Sequence, residues 1–310
     1  MVGHRLSVNG HARQNRTDFR CASRPRELSP ATRSDKAGPM TSDQPSHTPR
    51  DTHYANLRRA HRDRKRELKP NAPEPLLLYG LHTVAAALQN PDRIRHRLLI
   101  TRNARARLEL DDAEIDCPIE QVEPKDLDRL LGGEAVHQGA CLETEPLEPL
   151  RLDALGDATL LLVLDQVTDP HNVGAILRSA TAFAADGLIT TSRHSPRESG
   201  VLAKAASGAL EHVRQIEVRN LAETLERLSK LGFRTIGLDS EGESDFEQAI
   251  EGEKIAVVLG AEGKGLRQKT RATCDVLARL EMPGAIHSLN VSNAAAVALY
   301  AIRRRLPGGG

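Results

Sequence analysis

From Leu76 onward the chain alternates short apolar runs with amphipathic ones. LLLYG at 76–80 predicts a strand ended by Gly80, HTVAAALQN a helix stopped at Asn90-Pro91, and RHRLLIT a second strand over 95–101. A helix over 102–111, a short helix over 124–133 with a glycine stop, and a strand in GACLETEPL complete a small α/β unit. PLEPLRLDALGDA at 146–158 reads as a linker. The beat then becomes regular. Strands are predicted at 160–166, 187–191, 213–218, 233–238, 255–259 and 276–280. Helices are predicted at 173–184, 199–207, 220–231, 245–250, 266–273 and 291–305. Such alternation implies a mostly parallel sheet covered on both faces, and LLLVLDQV and IAVVLG suit strands buried on both sides.

Charge divides the chain differently. The total is near balance, 43 basic against 42 acidic residues, but residues 1–70 hold 16 Lys/Arg and 7 Asp/Glu, a net of +9. This arm has almost no apolar periodicity, and its charge suits either an anionic partner such as nucleic acid or a plain solvated extension. A short basic helix is expected over 54–69, ended by Pro70 and Pro73, and Met40 is a second candidate start. Four scattered cysteines without a CxxC pair support neither zinc nor a disulfide framework, and no metal is called for. No apolar run reaches the roughly 18 residues of a membrane span, so a reducing, cytoplasmic setting is expected. With seven aromatics and no Trp, any RNA binding must rely on charge, hydrogen bonds and shape rather than on base stacking.

Three stretches carry candidate chemistry. In the helix that DPHNVGAILR opens, Val173, Ile176, Leu177, Ala180, Thr181 and Ala184 form one stripe, and Arg178 lies well off it. Asn172 is placed as an N-cap. VLGAEGKGLR at 258–267 is a buried strand breaking into a loop of Gly260, Gly263 and Gly265 around Glu262. Its spacing is neither a P-loop nor GxGxxG. In LEMPGAIHSLNVSN, a strand end leads to Ser288 and Asn290 before a long helix with three arginines in its last turn. Each stretch alone is explained by capping or tight turns.

Together and in this order, DPHNVGAILR, GAEGKG and HSLNVS resemble the three motifs of the SpoU/TrmH family of RNA ribose 2′-O-methyltransferases over roughly residues 158–305. The unit from YGLHTV to VHQGACLE is similar to that family's substrate-binding domain, itself like a ribosomal-protein fold. That domain favours the subgroup that methylates a guanosine of 23S rRNA. The resemblance implies a basic arm (1–73), an RNA-binding domain (74–147), a linker (148–158) and a methyltransferase domain (159–306) whose parallel sheet is tied in a trefoil knot. It also implies a homodimer and bound S-adenosylmethionine. Arg178, Asn172, Glu262, Ser288 and Asn290 would then be the catalytic set. Gly260, Leu280 and Leu289 would hold the cofactor. A guanidinium stays protonated in proteins, which favours electrostatic positioning by Arg178, with a base role left open. Glu262 would orient Arg178 or a neighbouring amide. One departure stands out: Leu280-Glu281-Met282-Pro283 replaces the usual Ile/Leu-Pro-Met, and so sets Glu281 near the expected cofactor pocket. A tRNA methyltransferase and a non-catalytic RNA-binding or ribosome-assembly factor are the competing readings. A dinucleotide oxidoreductase is disfavoured because no GxGxxG follows the first strand.

Overall fold

The periodic segments form two sheets in a computed structural model that describes residues 75–109, 111 and 115–306. The basic arm, the helix expected over 54–69 and the alternative start at Met40 lie outside the described residues. Residues 72–310 make one compact unit.

The first sheet is built from β1 (Leu76–Tyr79), β2 (Arg95–Ile100), β3 (Ile119–Gln121) and β4 (Ala140–Thr144), in the order β1-β4-β2-β3. Strand β4 runs antiparallel to both neighbours, and β3 pairs parallel with β2. Its helices are α1 (Leu81–Gln89), α2 (Arg102–Leu108) and α3 (Pro124–Leu131). The helix expected to reach 111 stops at Leu108 because Glu109 turns left-handed, with φ of 49°. Strand β3 was not anticipated; three residues without a buried side chain show no alternation.

Residues 146–158 are more than a tether. A 3₁₀ turn at Leu152–Leu155 buries Leu152 and Leu155 beside Ile216 and Leu225. Leu150 also forms a parallel bridge with Ile216. Leucines spaced i, i+3 therefore anchor this segment along the larger sheet.

That larger sheet contains β5 (Leu160–Asp165), β6 (Gly187–Thr191), β7 (Arg214–Val218), β8 (Arg234–Leu238), β9 (Ser244–Asp245), β10 (Ile255–Gly260) and β11 (Val276–Arg279). The order is β7-β6-β5-β10-β8-β11-β9, and every pair is parallel. The two-residue β9 was too short to foresee. Helices α4 (Pro170–Ala182), α5 (Gly200–Ala206), α6 (Leu221–Lys230), α7 (Phe246–Ala249), α8 (Gln268–Thr273) and α9 (Val291–Arg305) complete the unit. All six residues of β5 are buried, and β10 beside it is buried through Leu259, as the continuous apolar runs required.

This order matters for function. Parallel strands end on one edge, and open sheets of this kind bind ligands outside the carboxyl ends of their strands. The loops after β5, β10 and β11 carry the three motifs. Inserting β10 beside β5 brings the first two together, and β11 lies one strand beyond β8.

Candidate active site

Helix α4 begins three residues before the expected boundary. Pro170 supplies the first turn, and Asp169 is the N-cap, its side chain accepting from His171 N at 2.9 Å. The N-cap role expected of Asn172 is therefore wrong. Asn172 sits inside the first turn with its amide free for other partners. Those partners come from the other two motifs. Asn172 Nδ2 donates to Glu262 Oε1 at 3.0 Å, and Asn290 Nδ2 donates to Asn172 Oδ1 at 3.1 Å. Asn290 Nδ2 also donates to Glu262 Oε1, and Val291 N reaches the same oxygen at 3.4 Å.

Asn290 does two jobs at once. Its Oδ1 caps α9 by accepting from Ser292 N at 2.9 Å, while its Nδ2 serves the cluster. Capping and site-building are thus not alternatives here. The first turns of α4 and α9 both meet Glu262, so two positive helix ends face one carboxylate. Glu262 bonds the two asparagines; no bond from Arg178 to it is found among the described residues.

The glycine loop is shaped by close approach. A Cβ on Gly260 would lie 2.2 Å from Gly265 C and 2.4 Å from Leu266 N. Gly263 and Gly265 take left-handed φ values of 74° and 63°, which turn the chain back so that Gly265 N donates to Ala261 O at 2.9 Å. Asp165, fully buried at the end of β5, fastens the far side of the loop. It accepts from Arg267 N at 3.0 Å and from Arg267 Nε at 2.6 Å. The sequence reading missed this pair. An aspartate closing an otherwise apolar strand was the available signal.

Beside the cluster lies a cavity of about 330 Å³. Gly260, Glu262, Leu280, Ser288 and Leu289 all line it, together with Leu238, Leu259 and Met282. Asp239, also unforeseen, stands on its wall and pairs with Arg271 Nε at 3.1 Å. Glu281 does not enter this cavity. It is exposed and borders the neighbouring groove with Phe246 and Arg305, whereas Leu280 and Met282 line both that groove and the cavity. Leu280 and Met282 keep that stretch of the cavity wall apolar.

Arg178 stands apart. It is exposed on α4, six residues and so about 9 Å along the axis from Asn172. No hydrogen bond or ion pair to it is found among the described residues. The site thus offers an aliphatic cleft, a carboxylate held by two amides, a hydroxyl at Ser288, and an unspent cation on the adjoining helix.

The model of the SpoU rRNA Methylase family matches residues 159–300, and that of RNA 2′-O ribose methyltransferase substrate binding matches 77–150. A 23S rRNA (guanosine-2′-O-)-methyltransferase RlmB from Pseudomonas putida is 40% identical over 241 residues, covering 74% of this chain and 96% of that protein. The RlmB protein of Ralstonia nicotianae is 42% identical over 238 residues, with coverage of 74% and 96%. Among solved structures, the SpoU methyltransferase AviRb from Streptomyces viridochromogenes, in complex with AdoMet, gives a TM-score of 0.63 at 23% identity, covering 84% of this chain and 100% of that one. That last likeness is one of fold. With both halves matched in order and its relatives covered almost end to end, the chain belongs to the SpoU family of rRNA methylases.

Proposed function

We propose that this chain methylates the ribose 2′-hydroxyl of a guanosine in 23S rRNA, using S-adenosylmethionine. The observation that carries the reading is the Asn172–Glu262–Asn290 cluster. Residues 118 positions apart in sequence meet around one carboxylate at the rim of a cavity. A purely structural protein has no need of such convergence on exposed ground. The relatives at 40% and 42% identity name the substrate class.

The cavity fits the cofactor. Its volume lies in the range of small-molecule sites. Leu238, Leu259, Leu280 and Leu289 offer apolar walls for an adenine without aromatic stacking, and the tight Gly260 turn exposes backbone groups for polar edges. When bound, S-adenosylmethionine supplies a methyl group on a positively charged sulfur. The protein's part is alignment, because an in-line transfer gains most from holding both reactants close. Asn172 and Asn290 fix Glu262 through Oε1. Glu262 Oε2 is left to receive a donor from the substrate. Ser288 reaches the ribose or its phosphate. Arg178, with no acidic partner among the described residues, holds the adjacent phosphate or the charge that develops on the 2′-oxygen.

Residues 74–147 serve in this proposal as the RNA-binding domain, and 159–306 as the catalytic domain. A trefoil knot belongs to the same reading. So does a homodimer: Val297 and Tyr300 leave an apolar strip exposed on α9, with Ile286 and Leu289 in the preceding loop. A cytoplasmic location follows from the substrate. No described helix is long and apolar enough to cross a membrane. The test incubates the chain and S-adenosylmethionine with total RNA lacking the modification, then separates rRNA from tRNA and digests each to nucleosides. New 2′-O-methylguanosine supports the reading. Its appearance in tRNA alone would move the substrate, and cofactor binding without any methylated nucleoside would favour the assembly factor.

A further inference from the structure

Arg93 is the largest fully buried side chain in the described structure, and the methyl-transfer reading gives it no role. It lies between α1 and β2, in the segment NPDR, which reads as a turn. Its two acidic partners lie in the other of the chain's two matched segments. Arg93 Nη1 donates to Glu198 Oε1 at 2.6 Å, and Nη2 to Glu211 Oε1 at 2.5 Å. Arg93 Nε donates to Glu211 Oε2 at 3.3 Å. Nη1 also donates to Glu145 O at 2.9 Å, Asn90 Nδ2 donates to Glu211 Oε2 at 2.7 Å, and Leu147 N to Glu198 Oε2 at 2.8 Å. The side chains of Arg93, Glu198 and Glu211 are 0%, 8% and 2% exposed.

Position gives the network meaning. Glu198 lies two residues before Gly200 and Glu211 five residues after Ala206, so one guanidinium holds the chain on both sides of α5. Both α1 and β1 of the small unit pack against the same helix. Thr83 Oγ1 donates to Ala203 O at 3.3 Å, and a Cβ on Gly200 would lie 2.5 Å from Leu77 O. On its other side α5 meets α4 without a gap. A Cβ on Gly174 would lie 2.5 Å from Ala205 Cβ and 2.6 Å from Leu202 O. Helix α4 bears Asn172 and Arg178. A continuous path of close packing therefore runs from Arg93 through α5 to the site.

We propose that Arg93 is a positioning residue: with Glu198 and Glu211 it clamps the small α/β unit to α5 in one orientation, so that RNA held by that unit meets Arg178 at a fixed distance. This rests on the methyltransferase reading above. A buried ion pair adds little net stability compared with apolar residues of similar shape, but it demands one geometry. A planar guanidinium forking to two carboxylates is satisfied in a single arrangement.

The test uses the full chain with nitroxide labels at Arg129→Cys on α3 and Glu226→Cys on α6, in a Cys21→Ser, Cys274→Ala background. Arg93→Met alone would strand two buried carboxylates. The informative variant is therefore the triple Arg93→Met, Glu198→Gln, Glu211→Gln, which removes all three charges together. The clamp predicts a broadened label-to-label distance distribution and a fall in kcat/KM toward RNA of about tenfold or more. S-adenosylmethionine affinity should stay unchanged and the melt cooperative. Arg93→Lys, which keeps the charge and loses the fork, should broaden the distribution partway. A distribution as narrow as that of the parent overturns the proposal, whatever happens to activity. Broadening with kcat/KM unchanged overturns its catalytic half. If the parent itself methylates no RNA, the function reading fails, and the distance measurement still decides whether the clamp exists.

Discussion

Replacing Gly260 by alanine tests whether the glycine loop is the cofactor's wall. The added Cβ would stand 2.2 to 2.4 Å from the backbone of Gly265 and Leu266, where ordinary contact begins at 3.4 Å. The loop must open by about 1 Å, since backbone cannot rotate aside as a flexible side chain does. Overpacking of this kind costs about 1–3 kcal/mol. For a unit of this size that lowers Tm by about 2–12 °C. The same shift moves the backbone groups that face the cavity, so S-adenosylmethionine affinity should fall about tenfold or more, equivalent to about 1.4 kcal/mol. Calorimetric titration reads the affinity. Melts with and without cofactor provide a second reading, because a ligand at 100 times its Kd stabilises by about 2.7 kcal/mol, and a tenfold loss of affinity roughly halves this. Gly133→Ala is the control: a Cβ there meets nothing within 4 Å. A Gly260→Ala protein with lowered Tm but full affinity would show that the loop is crowded for reasons of folding alone, and the cavity would lose its assignment.

Other substitutions separate roles that the structure places on one residue. Asn290→Asp keeps the cap on α9 but sets a carboxylate against Glu262. It should melt close to the parent yet lose methyl transfer, whereas Asn290→Ala also forfeits about 1 kcal/mol of capping. Equal loss of activity and stability in both would reduce Asn290 to a cap. Arg178→Ala should cost about 100-fold or more in single-turnover methylation while cofactor binding and Tm hold, because the side chain is exposed and bonds nothing described; undiminished turnover would remove it from the mechanism. Burial pushes the Cys141 and Cys274 thiols up to about 12, so both stay protonated at pH 8 and should resist iodoacetamide until the chain unfolds. Rapid alkylation of either in the folded protein would contradict the packing. Removing residues 1–73, which include the stretch of net charge +9, should flatten the dependence of RNA affinity on salt; an unchanged slope would show that the arm contacts no phosphate.

Much of this was legible in the chain because local pattern and global fold agree. Helix α9 runs over Val291–Arg305 as its periodicity and arginine-rich end required. The buried runs of β5 and β10 marked central strands, and three polar stretches at strand ends marked the site. What escaped depends on partners distant in sequence. Nothing near Asn172 shows that Asp169 takes the cap and frees its amide. The insertion of β10 between β5 and β8 follows from pairing across 95 residues, Ile255 with Leu160, which no window along the chain contains. Arg93 looks like a solvated turn residue until Glu198 and Glu211 surround it, and a Pro-rich linker hides the leucines that fasten it to the core. Glu262, Ser288 and Asn290 were named from the family resemblance of the stretches that hold them; Asp165 and Asp239 were passed over because nothing near either strand end shows the arginine it meets, Arg267 for the first and Arg271 for the second.

The most direct test of the central claim is a map of 2′-O-methylation across 23S rRNA from cells lacking this protein, before and after complementation with the parent chain and with Arg178→Ala. The account predicts one guanosine ribose that is unmethylated in the deletion, restored by the parent and left bare by the variant. Complementation that leaves every 23S position unchanged, or that restores methylation equally well without Arg178, would contradict it.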